Sequence, residues 1–236
     1  MCGRYSLFAP PEAIEGRFDA TFDFAFEPRY NAAPGQSLPV VTDDEPDTIQ
    51  RMEWGLIPSW ADDRSDHQYI NARAETLAER RSFADAYEAR RCLVPADGFY
   101  EWVDGAGSDG GKQPYRVALP DDDLFAMAGL YERWEPPQRQ TGLGEFGGGG
   151  YGDDEREVVE TFTVVTTEPN ETVADLHHRM AVLLAPEEEE TWLTGGTDEV
   201  ADLLDPYDGA LRAYPVSTAV NSPANDRPDL IDPVEV

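Results

Sequence analysis

Most apolar residues of this chain fall in short runs rich in β-branched and aromatic side chains, each closed off by Gly, Pro or Asp. Runs of that length and bounding read as strands, not as amphipathic helices. They predict strands at Arg4 to Phe8, Leu38 to Thr42, Thr48 to Trp54, Cys92 to Val94, Phe99 to Val103 and Tyr115 to Leu119. Further strands are predicted at Leu124 to Tyr131, Thr161 to Thr166, Ala181 to Leu184 and Ala213 to Ser217. Helices are fewer and carry start signals. Pro10-Pro11 opens one to about Phe18, Ser82 caps Phe83 to Arg90, and Asn170 caps one ending near Leu176. Pro186 opens an acidic helix to Leu193, and Thr197 starts another to about Leu204. The mix predicts an α+β fold in which strands dominate and hairpins are common. Asp104 to Gly111 reads as a hairpin tip. Glu135 to Glu155, with Gly147 to Gly150 inside it, is low in complexity. Strand-like segments on both sides favour one domain over residues 1–236 carrying a mobile insertion at 135–155, in preference to a linker between two domains.

Forty-eight acidic residues face eighteen basic ones, a formal net charge of −30, and Lys112 is the single lysine. The acids are spread along a chain that is 40% hydrophobic and 11% aromatic. That pattern fits a folded protein with a solvated acidic shell, as in proteins adapted to a high-salt cell, and not a disordered acidic tail. Long-range attraction to phosphate is absent. At molar salt, where screening acts over ~3 Å, a few local arginines can still decide a nucleic-acid contact. No apolar run approaches the ~18 residues of a membrane span, and no secretory signal opens the chain. The reading is a cytoplasmic, monomeric protein without a membrane partner. Two cysteines, Cys2 and Cys92, make no disulfide framework. No His/Cys cluster has metal-ligand spacing, so neither metal nor other cofactor is expected.

The chain begins Met1-Cys2-Gly3-Arg4. Removal of Met1 would leave an α-amine and a thiol on adjacent carbons. This 1,2-aminothiol condenses with an aldehyde to an imine, which the thiol closes into a five-membered thiazolidine. An amine of pKa ~7.7–8.0 is partly neutral at pH 7 and ready to attack. Alone, Cys2 reads first as a small buried hydrophobe. Its company changes that reading: Arg29-Tyr30-Asn31-Ala32-Ala33-Pro34-Gly35, Trp54-Gly55-Leu56-Ile57-Pro58-Ser59-Trp60, Tyr69 to Thr76, Ala96 to Trp102, Leu176-His177-His178-Arg179-Met180 and Pro215-Val216-Ser217. In this order, and over nearly the whole chain, these blocks resemble the SRAP family (SOS-response-associated peptidase), viewed as abasic-site processing proteins. The long insertion, the acidic surface and His178 beside His177 depart from the pattern.

The resemblance implies a single SRAP domain with a mainly antiparallel, barrel-like sheet core flanked by short helices. It also implies a covalent thiazolidine between Cys2 and the ring-opened sugar of an abasic site in single-stranded DNA, with Cys2, Asn71, Glu101 and His177 as catalytic residues. The residue types fit. Asn71 both donates and accepts hydrogen bonds, and suits a sugar hydroxyl or the Cys2 backbone. Glu101, between aromatics, has a setting that raises a carboxyl pKa and suits proton shuttling. His177 titrates near neutrality and can open the sugar ring; His178 shares that chemistry, and the sequence leaves open which ring points inward. DNA contacts are expected from Arg4, Arg29, Asn31, Arg73, Arg81 and Arg179, whose forks match phosphate where they are arginines, and from Trp60 by stacking, though Trp60 also reads as a core residue. The alternative is a cysteine hydrolase that cleaves peptide bonds with Cys2 and His177. A non-catalytic DNA- or protein-binding module is a further reading. Weak lyase activity would accompany an imine that is not closed by the thiol.

Overall fold

A computed structural model of the chain describes residues 2–64, 68–105, 111–136 and 158–236. In chain order come β1 (Tyr5–Leu7), α1 (Pro11–Phe18), β2 (Thr21–Phe22), β3 (Arg29–Ala32), β4 (Ser37–Thr42) and β5 (Thr48–Trp54). There follow β6 (Asn71–Arg73), α2 (Ala84–Ala89), β7 (Arg91–Ala96), β8 (Gly98–Val103), β9 (Gln113–Ala118) and β10 (Phe125–Trp134). The remaining elements are β11 (Val159–Thr167), α3 (Glu171–Ala174), β12 (Met180–Ala181), β13 (Leu183–Leu184), α4 (Glu189–Thr194), α5 (Thr197–Ala201) and β14 (Arg212–Pro215).

Strands β5, β4, β7, β10 and β11 pair antiparallel in that order, and β11 returns to β5 in parallel register, Thr161 opposite Glu53 and Phe162 opposite Trp54. The sheet therefore closes into a barrel, which leaves these strands no open edge. One apolar cluster runs through it, including Val40, Met52, Trp54, Val94, Met127, Leu130, Phe162 and Val164, and takes in Cys2 and Tyr5. Beside the barrel, a second sheet runs β14-β9-β8-β1-β3, antiparallel throughout. The α+β class and the barrel core expected from the sequence are both present.

The chain passes from barrel to second sheet at Asp97-Gly98. Asp97 is buried and accepts from Ser6 Oγ at 2.6 Å and from the Phe8 amide at 2.5 Å. Arg116, also fully buried, donates to the Asp97 carbonyl at 2.8 Å and pairs with its carboxylate at 3.3 Å. A Cβ at Gly98 would lie 2.7 Å from that guanidinium, so only glycine admits it. At the other end of the site, Ala33-Pro34-Gly35-Gln36 forms a turn with the Gln36 amide on the Ala33 carbonyl and Gly35 at φ +80°. Proline followed by glycine is what a type II turn requires.

The differences from the sequence reading have local causes. Ala181 to Leu184 is two short strands: Val182 donates to Val165 and accepts from Ala128, switching the chain from β11 to β10. Ser82 does not cap α2, whose N-cap is Phe83 without a side-chain bond. Pro186 opens a 3-10 turn before α4, and α5 stops at Ala201. Asn170 does cap α3, accepting from the Val173 amide at 3.1 Å. Strands β2, β3 and β6 were not foreseen. The predicted hairpin joins β8 to β9, with residues 106–110 of its tip outside the described residues. The predicted insertion lies outside them from residue 137 onward. Among the described residues no helix is long and apolar enough to cross a membrane.

Barrel closure leaves no room at Gly129 on β10, where a Cβ would meet Cys92 Sγ at 2.7 Å, Val94 Cγ2 at 2.9 Å and the Thr163 carbonyl at 3.2 Å. Gly129→Ala should therefore cost about 1–3 kcal/mol by overpacking. The check is a lowered urea midpoint at unchanged m-value; an unmoved midpoint would show that the wall yields.

Candidate active site

Cys2 enters the structure just ahead of β1 and is fully buried. Its Sγ lies 3.9 Å from the Arg4 carbonyl oxygen, and its own carbonyl accepts from Asn71 Nδ2 at 2.8 Å. Asn71 opens β6, which runs parallel to β11 with Asn71 opposite Val164. The residue before it is pinned from the barrel, because Trp54 Nε1 donates to the Ile70 carbonyl at 2.8 Å. Asn71 Oδ1 is buried without a hydrogen-bond partner among the described residues. A buried orphan acceptor costs free energy, and here it sits one amide away from the Cys2 backbone.

Glu101 comes from β8, three residues past the Asp97-Gly98 corner, and is 2% exposed. Burial pushes its carboxyl up to about 7, against the opposing charge of the chain's amino terminus. Burial likewise pushes the Cys2 thiol up to about 12, and the charge of Glu101 adds to it. Cys2 and Glu101 thus share one electrostatic neighbourhood.

His177 is placed by a chain of local bonds. Asn170 caps α3, the His177 amide closes back on the Val173 carbonyl at 2.9 Å, and the next residues enter β12. The Arg179 amide lies 3.0 Å from His177 Nδ1, which accepts from it in the neutral ring that carries its proton on Nε2. Nδ1 also lies 3.1 Å from the Arg179 carbonyl oxygen, to which a cationic ring donates. Burial lowers the His177 pKa. His177 is half-buried, whereas His178 is exposed and packs on it with ring centroids 4.2 Å apart.

Two cavities adjoin this group. Arg4, Glu101, Trp102, Lys112, His177 and Asn221 line a cleft of about 680 Å³. Tyr69, Asn71, Arg73, Thr76, Arg80, Phe83 and Thr166 line a smaller one of about 250 Å³. Asn71 thus lines the pocket and bonds the Cys2 carbonyl, and Glu101, whose charge acts on Cys2, lines the cleft. The linings invert the charge of the protein: arginines without carboxylates in the pocket, and Arg4, Lys112 and His177 beside one carboxyl in the cleft. For a chain of net charge −30 this local reversal is the site's distinguishing electrostatic feature.

The residues expected to contact DNA divide into two groups. Arg73 and Arg81 are exposed; the Arg81 guanidinium covers the half-buried Trp60 ring at 4.4 Å, and Trp60 Nε1 donates to the Arg81 carbonyl. The other group is spent on the protein itself. Asn31 is fully buried, and its Nδ2 donates to the carbonyls of Val220, Ser222 and Asn225. Arg4 donates to Asn31 Oδ1 at 2.8 Å, to the Val220 carbonyl at 2.6 Å and to the Asn221 carbonyl at 3.3 Å. Arg29 pairs with Asp226 at 3.1 Å. Arg179 is buried, forks onto Glu75 and donates to the Thr166 carbonyl at 2.5 Å. It thereby ties the His177 turn to the segment that follows Asn71. The sequence reading assigned no site role to Tyr69, Thr76, Arg80, Phe83, Trp102, Lys112, Thr166 or Asn221, which also line the two cavities. Tyr69, Thr76 and Trp102 lie inside the motif blocks, and Lys112 stands out as the chain's one lysine.

The raised Glu101 pKa has a consequence for stability. From the ordinary value of 4.5 up to about 7 the native state holds a proton that the unfolded chain has lost, so stability falls as pH rises through that window. Glu101→Gln lacks the effect. Relative to the parent its stability should rise by up to about 3 kcal/mol between pH 4.5 and 7, measured as denaturant midpoints at a series of pH values. Parallel curves for the two proteins would mean that Glu101 ionises normally.

The family model for SOS response associated peptidase (SRAP) matches residues 1–223. The abasic site processing protein YoqW of Bacillus subtilis (strain 168) is 39% identical over 241 residues, covering 98% of this chain and 99% of that protein. The abasic site processing protein HMCES of Gallus gallus is 34% identical over 247 residues, covering 89% of this chain and 68% of that protein. A crystal structure of a Bacteroides thetaiotaomicron protein superposes with a TM-score of 0.82 at 29% identity, over 99% of this chain and all of that one. With the family's model spanning the barrel, Cys2, Asn71, Glu101 and His177 alike, the chain belongs to the SRAP family.

Proposed function

We propose that this protein processes abasic sites in single-stranded DNA by becoming covalently attached to them through Cys2 once Met1 has been removed. The observation that carries the reading is a buried Cys2 bonded by Asn71 and under the charge of Glu101, where Asn71 lines one cation-lined cavity and Glu101 another in an otherwise acidic chain. The names of the relatives, abasic site processing proteins, agree with it.

The chemistry follows from the groups present. An abasic sugar is mostly a cyclic hemiacetal. Cationic His177 donates its Nε2 proton to the ring oxygen as the C1′–O4′ bond breaks, keeping its Nδ1 proton on the Arg179 carbonyl, and Glu101 takes the proton of the anomeric hydroxyl. The Cys2 amine adds to the aldehyde. Protonated Glu101 then returns its proton to the carbinolamine hydroxyl, which leaves as water and gives the iminium. The thiol gives its proton to the Glu101 carboxylate as sulfur adds to the iminium carbon, and the thiazolidine is closed; the proton on Glu101 then restores cationic His177. A carboxyl with a pKa of about 7 suits these proton transfers, being half ionised near neutrality. Asn71 holds the Cys2 carbonyl and offers Oδ1 to a sugar hydroxyl.

The same values weigh against a peptidase working on other chains. Burial and the charge of Glu101 both push the Cys2 thiol up, away from the thiolate that an acyl-transfer cysteine needs. The amine therefore leads and the thiol follows. The test is intact mass after incubation with a single-stranded oligonucleotide carrying one abasic site. A heat-stable species equal to protein without Met1, plus DNA, minus one water is expected, absent in Cys2→Ala and after acetylation of the amine. Free protein alone, with Met1 confirmed absent, would refute the reading. Activity on a peptide with the amine blocked would replace it by the hydrolase.

A further inference from the structure

This chain uses arginine at every basic position but one. The exception, Lys112, stands at the entry to β9, in the hairpin that places Glu101 opposite Tyr115, and lines the same cleft as Glu101 and His177. Its Nζ pairs with Asp104 at 3.2 Å, both side chains being largely exposed, 63% and 81%. An ion pair in that setting contributes little and exchanges readily for another anion. The second cation of the lining is committed: both guanidinium nitrogens of Arg4 that carry bonds hold Asn31 and the carbonyls of Val220 and Asn221. The third, His177, is shifted by burial toward its neutral form. Lys112 is thus the charge in this cleft that can turn onto an incoming anion. Ammonium suits that task as a compact point charge on a flexible stem.

We propose that Lys112 Nζ binds the backbone phosphate beside the abasic sugar, giving up Asp104 for it as the strand enters the cleft. This rests on the abasic-site reading for the identity of the strand, and it assigns Lys112 to substrate binding and not to bond making. The pocket lined by Arg73 and Arg80 shares Asn71, which bonds the Cys2 carbonyl. With Lys112 beyond Glu101, phosphates on both sides of the reacting sugar are then held by cations.

The experiment uses two single-stranded probes. One carries a tetrahydrofuran abasic analogue, which has no aldehyde and reports noncovalent binding by anisotropy; the other carries a true abasic site and reports adduct formation. Lys112→Gln should weaken binding of the analogue roughly three- to ten-fold at low salt and reduce the log–log salt slope by about 0.7, one single-strand phosphate contact. The limiting rate of adduct formation at saturating DNA should be unchanged. Lys112→Arg should restore affinity and slope, and Asp104→Asn should tighten binding. An unchanged slope in Lys112→Gln, or Lys112→Arg as weak as Lys112→Gln, overturns the proposal. The same Lys112-dependent slope on the analogue, without any adduct from the true abasic site, would uphold the contact while refuting the covalent reading. Absence of binding to both probes would refute both.

Discussion

The Arg116–Asp97 pair holds the corner on which the site is built. Arg116 reaches across from β9, fills the space a side chain at Gly98 would need, and donates to both the carbonyl and the carboxylate of Asp97. Asp97 in turn fixes Ser6 and the Phe8 amide. One buried carboxylate thus sets β8, which carries Glu101, and β1, which leads back to Cys2. Removing Arg116 would leave the buried Asp97 carboxylate without its cation, a loss of about 3–5 kcal/mol, whereas Arg116 without Asp97 would still pair with Asp122. At this corner the damage would also be geometric, because two members of the site hang from it on different strands.

Asn71 and His177 are supplied from the barrel side, and a second ion pair joins them. Glu75 lies four residues past Asn71, Arg179 two residues past His177, and the fork between them closes over the Thr166 carbonyl. The Arg179 backbone simultaneously holds His177 Nδ1 and so orients the ring. An arginine that looks like a phosphate ligand in the sequence therefore acts by orientation. Its charge is already answered by Glu75.

This explains how far the sequence could be read. Short apolar runs identified the barrel strands because a strand buried on both faces needs no partner to be recognised by composition. Asn170 and Ala33-Pro34-Gly35 were legible because caps and turns depend on local residue chemistry. Strand β3 was not, since Arg29-Tyr30-Asn31 is polar and becomes a strand only because the turns near the C-terminus cover it. The roles of Asn31, Arg4 and Arg29 were hidden for the same reason. Their partners, Val220, Asn221, Ser222, Asn225 and Asp226, lie 189 to 217 positions away. Residue type announces a donor; it does not announce that a buried carbonyl is waiting for it.

The charge of the molecule bears on why a covalent step suits this site. Phosphate contacts weaken steeply with salt, and a protein of net charge −30 has no long-range field to recover the loss. The cation-lined cavities act only at short range, so encounter is governed by a few side chains of the lining. The proposed bond between Cys2 and the sugar would not depend on ionic strength once formed. In that proposed reaction burial, which pushes the Cys2 thiol up beside Glu101, sets the order of events: the amine adds to the aldehyde first, and the sulfur closes onto the electrophile that the amine has made.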